Sequence, residues 1–64
     1  MKLFHLDAAR VNARFTQEAA AKAVNISRNT LASYEAYKTT PDIDKAKELA
    51  SLYGMEVDDI IWSN

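Results

Sequence analysis

Apolar residues recur along this chain at intervals of three and four, the spacing that gathers them on one face of an α-helix. No segment alternates apolar and polar residues for long enough to indicate a β-strand. Polar breaks interrupt the helical pattern at "NIS", which begins at Asn25, and at "YKTTPD", which begins at Tyr37. The pattern therefore predicts an all-α fold made of several short helices.

The chain has 64 residues, which suits one domain over residues 1–64 and is too short for two independent cores. It contains no cysteine, so neither disulfides nor thiolate metal sites stabilise the fold. A core of this size is marginally stable unless it packs efficiently or gains a partner, which makes dimerisation an expectation. The N-terminal "MKLFHL" lacks the features of a signal peptide, and we expect a cytoplasmic protein.

Charge is divided unevenly along the chain, although the net charge is only −1. Residues 1–40 hold six basic and three acidic side chains, a balance of +3, whereas residues 41–64 hold two basic and six acidic ones, a balance of −4. A domain of this kind can turn its basic part toward a polyanion and keep the acidic part away. The alternative is a solvated surface with uneven charge, and the charges alone favour neither.

The first two predicted helices are short and rich in alanine. The first spans about residues 7–13, and the second begins after a Thr16 cap and spans residues 17–24. The small side chains of the second helix allow a neighbouring helix to approach closely. Asn25 then ends this helix, because Asn tolerates the left-handed backbone conformation better than most residues other than Gly.

A third helix is predicted from Arg28 to Ala36, with Ser27 as its N-cap. Leu31 and Tyr34 share its buried face. The outward face carries three side chains that form hydrogen bonds well, Arg28, Asn29 and Ser33.

For the fourth helix we expect Thr40 as the cap, Pro41 as the first helical residue, and an end near Tyr53 followed by Gly54 as the C-terminal stop. Its inward residues are predicted to be Ile43, Ala46, Leu49, Ala50 and Tyr53. A last short helix over residues 57–62 would return apolar residues to the core. Trp62 either covers the core or belongs to an exposed patch with Met55 and Val57 that pairs two protomers.

A helix, a short turn and a second helix over residues 17–36 have the spacing of a helix-turn-helix, whose second helix enters the major groove of DNA. Side chains at the start of that helix meet base edges. Arg and Asn are the types that make two-point hydrogen bonds to guanine and adenine. The alternative for Arg28, Asn29 and Ser33 is an ordinary solvated helix face.

The segments "TQEAAAKAVNISRNTLASYE" and "LASLYGMEVDDI" together resemble the XRE or Cro/repressor-type helix-turn-helix family of phages and bacteria. The resemblance extends from about Leu6 to Ile61 and implies a five-helix, lambda-repressor-like DNA-binding domain. It implies base contacts from Arg28, Asn29 and Ser33, and contacts to the DNA backbone from Gln17, Lys38 and Thr39. It also implies a partly buried structural ion pair between Arg10 and Glu35.

The sequence departs from the family at positions where Gly is usual, namely Arg14, Asn25 and Tyr37. Asn25 is an easy substitute, whereas Arg14 and Tyr37 are poorly suited to a positive φ. We therefore expect the third helix to run past Ala36 and to reshape the loop before Pro41. Such a change makes contacts from Lys38 and Thr39 to the DNA backbone less secure.

These observations lead to a function as a sequence-specific, double-stranded DNA-binding regulator of transcription in a bacterial or phage-infected cell. It would act as a homodimer on a palindromic operator, without a cofactor. The alternative is a protein-binding module on the same frame that contacts an anti-repressor or a polymerase subunit. An enzyme is not expected, because His5 is the only histidine and no cysteine, gathered carboxylates, Gly-rich loop or metal-ligand spacing accompanies it.

Overall fold

The computed structural model describes residues 3–63. Its elements, in chain order, are β1 (Phe4–His5), α1 (Leu6–Asn12), α2 (Gln17–Ala23), α3 (Arg28–Glu35), α4 (Ile43–Leu52), a 3₁₀ turn (Val57–Asp59) and β2 (Ile60–Ile61). Most of the chain is helical, as predicted. The expectation of an all-α fold with five helices was wrong in two respects, since the fifth helix is a single 3₁₀ turn and two strands are present.

The two strands bring the ends of the described chain together. They form a parallel pair in which Phe4 lies opposite Ile60 and His5 lies opposite Ile61. The predicted helix over 57–62 stops early, because Ile60 has the extended conformation with φ −119° and ψ 140°. Each strand has only two residues, which is too short for an alternating pattern to be seen in the sequence.

The core lies between the four α-helices. Leu6, Leu31 and Leu49 are its largest fully buried side chains, and each comes from a different helix. Small residues fill the remaining contacts between helices, and Ala20 and Ala21 of α2 are almost completely buried. These alanines let α2 and α3 approach closely, as the sequence predicted.

The start of α4 differs from the prediction. Asp42 is the N-cap, because its Oδ1 accepts a hydrogen bond from the backbone N–H of Lys45 at 2.8 Å. Thr40 is not the cap, and Pro41 precedes the helix instead of opening it. Ile43, predicted to face inward, is 60% exposed. Ile43 and Ala46 lie on the same face of α4. Ala46 is buried, but Ile43 lies in the first turn, which extends beyond the core.

All four α-helices end in the same backbone motif. In each, a residue with positive φ donates to the carbonyl three positions earlier, and the next residue donates to the carbonyl five positions earlier, which together define a Schellman motif. The residues with positive φ are Arg14 (66°), Asn25 (63°), Tyr37 (60°) and Gly54 (72°). Asn25 and Gly54 therefore end α2 and α4 as predicted.

The expectation that α3 continues past Ala36 was wrong, because the helix ends at Glu35 and Tyr37 adopts a positive φ. A left-handed residue other than Gly costs about 1–2 kcal/mol. Two capping hydrogen bonds offset that cost, from Tyr37 N to Tyr34 O at 3.1 Å and from Lys38 N to Ser33 O at 3.0 Å. Arg14 has the same conformation after α1.

Candidate nucleic-acid interface

The first turn of α3 is fixed by its own cap and presents two of its side chains to solvent. Ser27 has an extended backbone, and its Oγ accepts a hydrogen bond from Thr30 N at 3.0 Å. Its Oγ also lies 2.8 Å from Thr30 Oγ1. Arg28 and Asn29 are exposed beside this cap. Ser33, one turn further along α3, is half-buried.

The turn between α2 and α3 is held from a distant part of the chain. Ile26, which follows Asn25, packs against the core. The ammonium group of Lys45, on α4, donates a hydrogen bond to the carbonyl of Val24 at 2.6 Å. Because Val24 is the C-cap of α2, this bond satisfies a helix-end carbonyl and places a positive charge at the negative end of the helix dipole.

The last turn of α3 is held by side chains of α1 and α2. Arg10 Nε lies 2.7 Å from Glu35 Oε2, and the two side chains are only 15% and 6% exposed. Arg10 also donates from Nη1 to the carbonyl of Phe15 at 2.7 Å, and Gln17 donates from Nε2 to Glu35 Oε1 at 2.8 Å. Glu35 therefore connects α3 with both preceding helices through one buried carboxylate.

The structure places the sequence-predicted site residues in three groups. Arg28 and Asn29 are exposed at the start of α3, with Ser33 on the following turn. Lys38 and Thr39 are exposed in the loop after α3. Gln17 lies at the start of α2 and is bonded to Glu35 through one of its amide hydrogens, which leaves its second N–H available.

Two residues near these groups were missed by the sequence analysis. The hydroxyl of Tyr37 lies 2.7 Å from His5 Nδ1 and donates to the carbonyl of Ile61 at 3.3 Å. The only sequence signal for this contact is the presence of Tyr where the family usually has Gly. Lys45 has no sequence signal at all, because its partner Val24 lies 21 positions away.

Tyr53 is buried, and its phenol is influenced by the charges of both Arg10 and Glu35. Burial, and to a smaller extent the charge of Glu35, raise its pKa from 10.0 to about 12 against the opposing charge of Arg10. Its buried Oη has no hydrogen-bond partner within residues 3–63. The phenol is therefore neutral at physiological pH and acts as part of the core.

Trp62 belongs to the core and not to an exposed patch. Its ring is half-buried against the core, and its Nε1 donates to the carbonyl of Val57 at 2.9 Å. Within residues 3–63 no group of three or more His, Cys, Asp or Glu side chains is placed to hold a metal ion. In the same part of the chain, none of the helices has the length and apolar character needed to span a bilayer.

Comparisons with known proteins agree with this geometry. A model of the helix-turn-helix family matches residues 6–60. The HTH-type transcriptional regulator ImmR of Bacillus subtilis (strain 168) is 40% identical over 53 residues, which cover 83% of this chain and 42% of that protein. The chain thus spans less than half the length of this relative. No solved structure matches the chain.

The fold and the exposed first turn of α3 define a helix-turn-helix domain. The chain belongs to the XRE-type helix-turn-helix family, as its sequence pattern indicated.

Proposed function

We propose that this chain binds double-stranded DNA in a sequence-specific manner as part of a transcriptional regulator, with α3 in the major groove. The observation that carries the proposal is the start of α3, where Arg28 and Asn29 are exposed on a turn that Ser27 caps. A rigid helix end with exposed side chains fits the mode in which a recognition helix meets base edges. The name of the 40% identical relative, a transcriptional regulator, supports the same function.

In this proposal the exposed groups divide into two kinds of contact. Arg28 would bond guanine O6 and N7, and Asn29 would bond adenine N6 and N7, while Ser33 would reach a further base edge. Gln17 would donate its second amide N–H to a phosphate oxygen. Lys38 and Thr39 would contact the DNA backbone from the loop after α3, which sets orientation without reading sequence.

A single copy of α3 reads only a few base pairs. We therefore propose a homodimer on a palindromic operator, in which two copies of α3 lie about 34 Å apart, one helical turn of DNA. Occupancy of the operator would act sterically, by excluding or recruiting polymerase. No cofactor enters this mechanism.

Selection of binding sites from random DNA duplexes tests the proposal. The wild-type domain is expected to enrich a palindromic motif, and the double variant Arg28→Ala/Asn29→Ala is expected to lose it. Lys47→Ala is the matched control, because Lys47 is an exposed cation on α4 and not on α3, and it should keep the motif. Failure of the wild-type domain to enrich any motif would contradict sequence-specific binding.

The second candidate function is binding to a protein partner in transcription. It is favoured by the acidic balance of residues 41–64 and by open grooves on both sides of α4, one beside Met55 and Val57 and one beside Val24 and Leu52. Salt separates the two functions. DNA affinity should fall with a log–log slope of about −0.9 per phosphate contacted, whereas protein binding would lack this dependence on duplex phosphates.

A further inference from the structure

The four Schellman motifs differ in how their loops are attached to the core. A Schellman motif is usually accompanied by an apolar contact from the residue that follows the positive-φ position. Phe15, Ile26 and Met55 occupy that place after α1, α2 and α4, and all three pack against the core. After α3 the same place is held by Lys38, which is exposed. The residue after the turn therefore supplies no apolar attachment at the α3 end of this loop, although the far end of the loop is buried at Pro41.

Tyr37 supplies a different attachment at this point. Its ring makes a tilted contact with the ring of His5, with centroids 5.9 Å apart and an interplanar angle of 57°. Its hydroxyl lies 2.7 Å from His5 Nδ1 and donates to the carbonyl of Ile61 at 3.3 Å. His5 and Ile61 are register partners in the parallel strand pair. One side chain thus fastens the loop to both strands.

This arrangement also explains why a strained residue occupies the turn. Gly would adopt the φ of 60° without strain, yet it has no side chain to hold the loop. Tyrosine is strained at this φ, but its ring contacts His5 and its hydroxyl bonds to Ile61. The loop is thus attached by Tyr37, the positive-φ residue, and not by Lys38, the residue after it. Lys38 can therefore face outward.

We propose that Tyr37 is a positioning residue for DNA binding, which holds Lys38 and Thr39 toward the phosphate backbone by fastening their loop to the β1–β2 pair. In this proposal the strand pair contributes to DNA binding by holding the loop in place. This inference rests on the proposed function for its DNA-binding part. Its structural part, the fastening of the loop, is testable in the protein alone.

The first experiment measures amide hydrogen exchange in the free protein. Tyr37→Phe keeps the ring and removes the hydroxyl, and Tyr37→Gly removes the whole attachment. Exchange at the amide of Lys38, whose N–H donates to the carbonyl of Ser33, is expected to accelerate in both variants, more strongly in Tyr37→Gly. Tyr34→Phe is the matched control, since Tyr34 packs against the core and its hydroxyl forms no hydrogen bond among the described residues, and it should leave the Lys38 amide unchanged. Unchanged exchange in the two Tyr37 variants would overturn the proposal.

The second experiment is a double-mutant cycle on the salt dependence of DNA binding, with a duplex selected by the wild-type domain. Lys38→Ala should reduce the steepness of the log–log slope by about 0.9 in the wild-type background. In the Tyr37→Phe and Tyr37→Gly backgrounds the same change should have less than half of that effect, because the lysine is no longer held in place. Equal effects in all backgrounds would overturn the positioning role, since a residue that only stabilises the fold gives additive changes.

The two experiments separate the possible failures. If the wild-type domain binds no duplex while the Tyr37 variants accelerate exchange, the proposed function fails, the positioning role fails with it, and only the fastening of the loop stands. If the wild-type domain binds its duplex while exchange is unaffected, the proposed function stands and the role of Tyr37 fails alone.

Discussion

The two ends of α3 are held by different kinds of contact. At its start, Ser27 bonds to Thr30 only three positions away, and the neighbouring Arg28 and Asn29 remain exposed. The last turn of α3 and the residue Tyr37 just after it are held by long-range contacts. Glu35 is bonded to side chains 25 and 18 positions earlier in the chain.

From this difference we infer that the two ends of α3 have different roles. The long-range contacts of Glu35 join α3 to α1 and α2, so changes there should affect the stability of the whole domain. The local contacts at the start fix only one turn, so its exposed side chains are available for the proposed contacts with DNA.

Glu35→Gln should have the largest effect on stability. The variant leaves the guanidinium of Arg10, which is 15% exposed, with the Phe15 carbonyl but without its counter-charge. Breaking a buried pair costs about 3–5 kcal/mol, and chemical denaturation should show a loss near the lower end of that range. Glu48→Gln is the control, because Glu48 is 51% exposed and its pair with Lys45 should contribute no more than ~1 kcal/mol. Equal losses in both variants would contradict a special role for Glu35.

Arg28→Ala should change specificity and leave the fold intact. We expect a loss of about 1–3 kcal/mol in discrimination at one base pair, with stability within about 0.5 kcal/mol of the wild-type domain. Lys38→Ala is the contrasting variant, because it should weaken binding to all duplexes alike. Competition binding with single-base variants of the selected site measures both. A uniform loss for Arg28→Ala would place its contact on the DNA backbone.

Ser27→Ala should cost about 1 kcal/mol of stability, because it removes the acceptor for Thr30 N at the start of α3. Thermal or chemical denaturation measures this loss. Ser51→Ala, at an exposed position inside α4, is the control and should be neutral or slightly stabilising, since Ala is the better helix former. A loss as large as that of Glu35→Gln would mean that the start of α3 is as strongly coupled to the fold as its end.

Tyr53→Phe should have the smallest effect at pH 7, because the hydroxyl that it removes has no partner among the described residues. The effect should appear in alkali. The pKa of Tyr53 is raised from 10.0 to about 12 in the folded protein, so the phenol favours folding below pH 10 and loses that contribution as the pH rises toward 12. The variant should therefore lose less stability than the wild-type domain between pH 9 and pH 11 in denaturation experiments. Identical pH profiles would show that Tyr53 is not shielded in this way.

The parts of the fold that depend on near neighbours could be predicted from the sequence. The caps at Thr16 and Ser27 and the helix ends at Asn25 and Gly54 were all confirmed, because each depends on backbone groups within a few residues. The buried positions of α3 and most of those of α4 followed from helical spacing. Lys2, which was counted in the basic balance of residues 1–40, lies outside the described residues.

The parts that depend on distant contacts could not be predicted. Tyr37 was judged unfit for a positive φ, because the sequence does not show that His5 and Ile61 meet it there. The strand pair was missed for the same reason, since its two partners lie at opposite ends of the chain. Ile43 lies on the predicted apolar face of α4 but is exposed, because periodicity does not reveal where the core ends.

A titration of the ¹⁵N-labelled domain with its selected duplex tests the central claim most directly. If the start of α3 reads DNA, the largest amide shifts should lie at residues 27–30 and 33, with smaller shifts at residues 38 and 39. Shifts concentrated instead in α4 and residues 55–58, or no shifts at all, would contradict the account.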